Sequence, residues 1–173
     1  LRLGIGMHGL YPSEEVDRGA VPLTPVMSLK TELAHVKTLA AGEGISYGTR
    51  YFTRREETVG TIPVGYADGF SRMLGGKAEA LYRGGRVPVV GTICMDQCMV
   101  RLDDALKAGA AAAEPGEEIV LMGRQGDAAI TAEEIARKLG TIPYEVICMI
   151  ANRVPRVYVK NGAVTAIVNP LVE

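Results

Sequence analysis

The chain has 173 residues, of which 47% are hydrophobic and 23% charged, with a formal net charge of −1. This apolar content with so little net charge excludes a mainly disordered protein and indicates about one domain. The near-neutral charge, the absence of Trp and the scarcity of Phe argue against nucleic acid or an anionic membrane as the main partner. The apolar stretches are also far too short to span a bilayer.

The N-terminal part of the chain predicts a short strand, a linker and a long strand. A glycine-broken apolar run over residues 3–10 predicts a buried strand that ends in a turn at residues 11–13. Residues 14–25 are polar and contain Pro and Gly, which is typical of a linker. From Val26 to Leu39 polar and apolar residues roughly alternate, which predicts one long strand with a solvent-facing side that residues 41–44 terminate.

The middle of the chain predicts further strands separated by turns. The candidate strands cover residues 57–64, 77–82, 86–93, 97–102 and 118–122. Arg83-Gly84-Gly85 lies between the second and third of these and predicts a hairpin. Residues 108–113 are small and predict a loop or a weak helix.

The C-terminal part predicts two helices and a hairpin. Thr131 and Glu134 form a capping-box pattern and Gly140 provides a stop signal, so a helix is expected between them. Residues 144–151 predict a second, shorter helix. Asn161-Gly162 is the strongest hairpin signal in the chain. These elements predict a mainly β, mostly antiparallel domain with one or two helices, arranged as a distorted barrel.

The three cysteines do not form a disulfide pattern. There are three of them, Cys94, Cys98 and Cys148, and an odd number favours reduced thiols and a cytoplasmic setting. The spacing of Cys94 and Cys98 is not that of a zinc knuckle, and His8 and His35 are the only histidines. We therefore expect no metal site.

Four short segments place Gly, Tyr, Asp or Cys in tight turns. They are residues 44–48, 63–69, 91–97 and 141–145. Each also has a simple structural interpretation. In the same order, the interpretations are a surface tyrosine that packs on its own hairpin, a turn capped by Asp68, a strand bulge in which Asp96 is hydrogen-bonded to backbone, and a linker in which Tyr144 is half-buried. The ordinary pKa of a phenol is about 10, so Tyr47 needs a nearby cation to serve as an acid or base at neutral pH.

Taken in order, these segments resemble the C-terminal part of bacterial alanine racemase. The matching stretches are Arg2-Leu3-Gly4-Ile5, Gly44-Ile45-Ser46-Tyr47-Gly48, Gly65-Tyr66-Ala67-Asp68-Gly69, Cys94-Met95-Asp96-Gln97, Ile142-Pro143-Tyr144-Glu145 and Arg153-Val154-Pro155-Arg156. The ordered set covers nearly the whole chain and is highly specific, whereas each motif alone is not.

The resemblance implies a homodimer that binds pyridoxal 5′-phosphate, with an N-terminal α/β barrel and a C-terminal β domain in each subunit. Residues 1–22 would be the last piece of the barrel and the linker, and residues 23–173 the β domain. Lys30 and Lys37 match no motif for the lysine that holds the cofactor as a Schiff base. The chain begins without Met, as a processed protein or a piece of a longer one does, and we expect it to be inactive alone.

The resemblance also implies a role for individual residues. Tyr47 matches the catalytic tyrosine that one subunit supplies to its partner's site. Arg2 matches an arginine that bonds the cofactor's pyridine nitrogen; the other cofactor-binding residues would be Gly4, Ile5 and Tyr144. Met95 matches the residue whose backbone amide meets the substrate carboxylate. The substrate entryway would comprise Tyr66, Arg72, Asp96 and Ile142, with Thr92 where some relatives have arginine.

The implied function is interconversion of L- and D-alanine by two-base proton transfer, which supplies D-alanine for peptidoglycan in a bacterial cytoplasm. Three alternatives stay open: a barrel-type amino-acid decarboxylase that uses the same cofactor, a serine or serine/alanine racemase, and a non-catalytic β-barrel binding module. The Tyr47 turn and residues 94–97 favour a racemase over a decarboxylase. The bulk of Tyr144 favours alanine over serine. The absence of a matching cofactor lysine is the observation that favours the binding module.

Overall fold

The computed structural model describes residues 2–106 and 111–172, which are mainly antiparallel β structure with two α-helices. This confirms the predicted fold class. The strands are Leu29–Glu32 (β1), His35–Leu39 (β2), Gly44–Ile45 (β3), Tyr51–Phe52 (β4), Glu57–Ile62 (β5), Glu79–Tyr82 (β6), Gly85–Val90 (β7), Cys98–Arg101 (β8), Glu118–Gln125 (β9), Ala128–Ile130 (β10), Arg156–Lys160 (β11) and Ala163–Val168 (β12). The helices are Ala132–Leu139 (α1) and Pro143–Met149 (α2), and short 3₁₀ turns cover Gly4–His8, Tyr47–Thr49, Tyr66–Asp68 and Arg72–Leu74.

The main sheet has the hydrogen-bonded order β1-β9-β6-β7-β8-β5-β2, and β10 pairs with β9. Its two end strands follow each other in the chain through Leu33 and Ala34. The Leu33 amide donates to Glu117 O at 2.9 Å, and the Ala34 amide donates to Thr61 O at 2.8 Å. The prediction of one long strand is therefore wrong, because the chain leaves one edge of the sheet at Leu33 and joins the opposite edge at Ala34. No ladder joins β1 to β2 in the described residues, so the predicted barrel is not closed by hydrogen bonds.

The core lies where the apolar sides of the central strands meet. Ile62, Leu81, Val100, Ile119 and Leu121 are fully buried. Each such side chain stabilises the fold by about 1.5–3 kcal/mol relative to an exposed one. Helix α1 adds Ile135 and Ala136 to the same cluster. The core thus connects the sheet to the helices and fixes the loops at their ends.

Both predicted hairpin turns are confirmed. Arg83 and Gly84 have φ of 49° and 75°, and Asn161 and Gly162 have φ of 52° and 78°. Two consecutive left-handed residues match the right-handed twist of the flanking strands, which is why Asn-Gly is so strong a signal. Strands β11 and β12 form a separate two-stranded sheet with exposed side chains.

The predicted strand over residues 3–10 is wrong. Residues Gly4–His8 form a 3₁₀ helix in which only Ile5 is buried. Gly4 and Gly9 have φ of 54° and 72°, and the Gly9 amide donates back to Gly6 O, so the backbone turns instead of extending. A Cβ on Gly9 would overlap Thr24 O, so the linker packs closely here. Part of the segment 108–113, predicted as a loop or a weak helix, lies outside the described residues.

Helix α1 has the predicted cap at each end. Thr131 Oγ1 accepts the Glu134 amide at 3.2 Å, and Gly140 is left-handed with φ of 76°. The Glu134 carboxylate does not complete the predicted capping box. It pairs with Arg86 at 2.8 Å and with Lys138 at 2.9 Å, and these partners lower the pKa of Glu134 to about 2. Neither helix in the described residues is long and apolar enough to cross a membrane.

The Glu134 ion pairs predict a pH dependence of stability. Because the folded pKa lies near 2 and the reference value is 4.5, their contribution is full above pH 4.5 and is lost as the pH falls through about 2. We expect Glu134→Gln to be less stable than wild type at pH 6 in urea unfolding, with the difference shrinking toward pH 2.5. A difference that does not change with pH would show that the pairs add no electrostatic stability.

Candidate functional site

Tyr47 lies on a strained, exposed turn. Ser46 before it has φ of 69°, and Gly48 after it has φ of 73°. Left-handed backbone at a non-glycine residue is uncommon and is retained only where surrounding contacts impose it. The Tyr47 side chain is 78% exposed, and its hydroxyl has no hydrogen-bond partner in the described part of the chain. The ring therefore projects away from its own domain.

Reciprocal hydrogen bonds fix this turn to the segment after β7. Ser46 Oγ donates to Thr92 O at 2.6 Å, and Thr92 Oγ1 donates to Tyr47 O at 3.0 Å. Strand β7 ends at Val90 rather than at the predicted Ile93, because Gly91 has φ of 71°. A Cβ on Gly91 would approach Ser46 Cβ to 2.8 Å. Ser46 was not among the predicted site residues, because no local sequence pattern predicts a left-handed serine.

The turn that contains Tyr66 lies against the loop that contains Met95. The amides of Tyr66 and Ala67 donate to Cys94 O and Met95 O, each at 3.0 Å. A Cβ on Gly65 would overlap both carbonyl oxygens. The side chains of Tyr66 and Met95 are both exposed. The backbone thus holds two of the sequence-predicted site residues side by side.

A buried carboxylate and an arginine connect three loops around this pair. Asp68 accepts the Gly65 amide at 2.8 Å, which confirms the predicted capping role of this residue. Asp68 also accepts Arg153 Nε at 2.8 Å, and the same guanidinium donates to Asp96 at 2.6 Å. Asp96 thus lies in an exposed loop paired with Arg153, not in a strand bulge bonded to backbone. Sequence reasoning gave Arg153 no role.

Helix α2 reaches the Tyr66 turn through its C-terminal end. The Ala151 amide donates to Asp68 O at 3.0 Å, and a Cβ on Gly69 would overlap Met149 O. At the other end of α2, Ile142 is the N-cap and Tyr144 is in the first turn; both side chains are exposed.

Arg72 begins a 3₁₀ turn of its own and shares a shallow cleft with Tyr66 and Met149. The structure therefore brings Tyr47, Thr92, Met95, Asp96, Tyr66 and Arg72 together through directly bonded or adjoining loops. Ile142 and Tyr144 are connected to this group through the length of α2.

The N-terminal site residues form a separate group. Arg2 and Gly4 are exposed, and Ile5 is buried. A Cβ on Gly4 would meet nothing within 4 Å, so the backbone there is open to an approaching group. No hydrogen bond or ion pair in the described residues joins this group to the Tyr47 turn. A guanidinium that cannot lose its proton and an open backbone suit a ligand that offers acceptor atoms.

One of the three cysteines lies beside the Tyr47 turn, with Cys94 Sγ 3.6 Å from Ser46 Oγ. All three are free thiols, with Cys94 and Cys98 buried and Cys148 exposed. Burial raises the pKa of Cys98 to about 12, which leaves it protonated and inert at neutral pH. Within residues 2–106 and 111–172, no group of three or more His, Cys, Asp or Glu side chains is placed to hold a metal ion.

Comparison with known proteins gives one consistent result. The family model described as "Alanine racemase, C-terminal domain" matches residues 26–158. Alanine racemase 1 of Clostridium acetobutylicum is 49% identical over 97% of this chain and 42% of its own length. Alanine racemase of Clostridium novyi is 52% identical over 98% of this chain and 43% of its own length. The chain thus spans less than half the length of the curated relatives it matches.

Solved structures agree with the sequence relatives. The alanine racemase from Bacillus anthracis with bound L-Ala-P superposes with a TM-score of 0.87, at 44% identity, over 96% of this chain and 42% of that one. The Clostridium difficile alanine racemase in complex with cycloserine gives 0.86, at 44% identity and the same coverage. On the family match, the sequence identity and the shared fold together, the chain belongs to the alanine racemase C-terminal domain family.

Proposed function

We propose that the full-length protein containing this chain is a pyridoxal-phosphate-dependent alanine racemase. It interconverts L- and D-alanine as a homodimer in a bacterial cytoplasm and so supplies D-alanine for peptidoglycan. Residues 1–22 end the cofactor-binding barrel and lead into the linker, and residues 23–173 form the β domain. The named relatives support this proposal over a decarboxylase, a serine racemase or a binding module.

The geometry of the Tyr47 turn is the observation on which the proposal rests. A base that acts across a subunit interface must project from its own domain, yet be held rigidly. The Tyr47 phenol is exposed, its hydroxyl has no partner in the described residues, and its backbone is bonded to buried Thr92. In the proposed mechanism, Tyr47 removes or returns the α-proton on one face of the substrate. The cofactor-bearing lysine, which we place in the barrel, serves the other face.

The cofactor-binding residues would be Arg2, Gly4, Ile5 and Tyr144. Pyridoxal 5′-phosphate, when bound, withdraws electrons from the substrate Cα and so acidifies the α-proton. The residues present fit this group, because its pyridine nitrogen and phosphate are acceptors, whereas Arg2 is an obligate donor and Tyr144 has an exposed phenol. Arg2 cannot give up its proton, so it would keep the ring nitrogen unprotonated and limit side reactions.

The substrate would be held and admitted by loops of the β domain. The Met95 backbone amide has no hydrogen-bond partner in the described residues, so it is free to donate to a substrate carboxylate. Its position is fixed because Met95 O accepts the Ala67 amide. The entryway would be lined by Tyr66, Arg72, Asp96 and Ile142, all of which are exposed.

The proposal is tested with the purified full-length protein loaded with cofactor. We expect L- and D-alanine each to be converted to the racemate, with deuterium from solvent incorporated at Cα, as measured by chiral chromatography and mass spectrometry. Serine at equal concentration is the matched control and should react more slowly. Release of carbon dioxide would instead indicate a decarboxylase, faster turnover of serine would change the substrate, and no turnover of either would indicate a binding module.

A further inference from the structure

An open cleft of about 380 Å³ lies beside the Tyr47 turn and is lined by three arginines. Arg50 follows the turn directly, Arg72 begins the 3₁₀ turn Arg72–Leu74, and Arg101 ends strand β8. They come from three separate segments of the chain, and the fold brings them to one concave surface. The lining also includes Gly91 and Thr92.

The positive charge of this cleft is only partly neutralised. Arg50 and Arg72 form no ion pair within the described ranges, whereas Arg101 pairs with Asp104 at 2.7 Å. Arg101 Nε is buried and lacks a hydrogen-bond partner in the same ranges, so the Asp104 carboxylate does not satisfy the whole guanidinium.

A second acidic group near the cleft is already engaged. Glu57 is fully buried, and it accepts the Tyr51 hydroxyl at 2.6 Å and the Arg54 amide at 3.1 Å. The Tyr51 oxygen in turn accepts Arg101 at 3.3 Å. Among the described residues, no acidic side chain lines the cleft itself. Within the part of the chain that the structure describes, the guanidinium groups of Arg50 and Arg72 are therefore left without a counterion on one small surface.

The chemistry of the lining restricts what can bind there. Guanidinium groups present paired donors that match the oxygens of phosphate or carboxylate. Gly76 also lines the cleft, and a Cβ there would meet nothing within 4 Å, so a ligand can approach the backbone at this position. Of the described residues that line the cleft, Tyr51 alone is aromatic, so they provide no aromatic pair for stacking a base.

We propose that the cleft lined by Arg50, Arg72 and Arg101 binds a small dianionic oxyanion of the phosphate type. Thr92 lines the cleft and also donates to Tyr47 O, so this residue connects the proposed anion site to the Tyr47 backbone. The proposal goes beyond the racemase assignment but shares Arg72 with the proposed substrate entryway. It concerns binding that can be measured without turnover.

The test is titration of the full-length protein with inorganic phosphate at pH 8, where phosphate is a dianion, at constant ionic strength set with chloride. Binding is followed by calorimetry and by the phosphorus NMR linewidth. We expect saturable binding that is about tenfold weaker in Arg50→Gln, because one charge-assisted contact is lost. Arg124→Gln is the matched control: this exposed arginine on β9 does not line the cleft, and the same charge is removed.

Each outcome decides the proposal. Saturable binding that Arg50→Gln weakens and Arg124→Gln does not would support it. Glycerol phosphate as a second probe then distinguishes sources, since tighter binding than inorganic phosphate points to an organic monoester. No binding above the chloride background, or equal weakening in both variants, would overturn it. If a carboxylate elsewhere in the full-length protein occupies the cleft, phosphate will not bind, and this result would also overturn the proposal.

Discussion

Replacement of Tyr47 by Phe in the full-length protein is expected to reduce racemisation by about 10²–10⁴-fold, the usual range for loss of a general base. The substitution removes one hydroxyl and keeps the ring, so the turn held by Ser46 and Thr92 stays intact. Cofactor absorbance should be retained. The loss should fall on proton abstraction from one enantiomer, because in the proposed mechanism the cofactor lysine still serves the opposite face. Solvent deuterium should then enter L- and D-alanine at very different rates.

The matched control is Tyr158→Phe, which removes an exposed tyrosine hydroxyl from strand β11 and should leave both directions unchanged. Small and equal effects of Tyr47→Phe on the two enantiomers would contradict a role as base and would leave Tyr47 as a surface residue.

Mixing experiments separate action across the interface from action within one subunit. A Tyr47→Phe subunit and a subunit without the cofactor lysine are each expected to be severely impaired alone. If Tyr47 acts across the interface, their heterodimer contains one site with both an intact lysine and an intact tyrosine. If Tyr47 acts within its own subunit, neither site is complete. We expect activity to return on mixing, and its absence would contradict the shared-site arrangement.

Gly65→Ala should give the second largest effect, this time on stability. A Cβ on Gly65 would overlap the carbonyl oxygens of Cys94 and Met95, both backbone atoms that cannot rotate away. Overpacking of this kind typically costs 1–3 kcal/mol, and we expect about 3 kcal/mol here because two peptide groups must move together. That corresponds to a fall in Tm of about 6–12 °C for a chain of this size. Urea and thermal unfolding measure it directly.

A second glycine provides the control. Gly6 is also outside the left-handed region, and a Cβ there would meet nothing within 4 Å. Gly6→Ala should therefore change the free energy of unfolding by less than about 0.5 kcal/mol. Equal effects at the two positions would mean that the contact between residues 65–69 and residues 92–97 is looser than the hydrogen bonds of Tyr66 and Ala67 indicate.

Local signals in the sequence were sufficient for the elements that depend on neighbouring residues. Asn161-Gly162 specifies a hairpin by itself, because both residues tolerate left-handed backbone. Thr131 and Gly140 specify the ends of α1 for a similarly local reason. The capping role of Asp68 was also predictable, since its partner amide is only three residues away.

The features that sequence reasoning missed depend on residues far apart in the chain. Alternation continues through Leu33 and Ala34, but the bend there exists because Glu117 and Thr61 accept their amides at opposite ends of the sheet. Arg153 bonds to Asp68 and Asp96, which precede it by 85 and 57 positions, so no rule of sequence spacing predicts these contacts. The group of residues around Tyr47 was recognisable through family resemblance, whereas the position of Ser46 and the arginine cleft is evident only in the folded structure.

The two-residue link at Leu33 and Ala34 also bears on how the sheet loses structure. Edge strands normally fray first, and an exposed edge can recruit strands from other molecules. Here both edges share one short piece of chain, and Leu33 is anchored in the core. Fraying of β1 cannot proceed past Leu33 without pulling on β2, and the reverse also holds. Because its two edge strands are covalently joined, the open sheet unfolds with some of the cooperativity of a closed barrel.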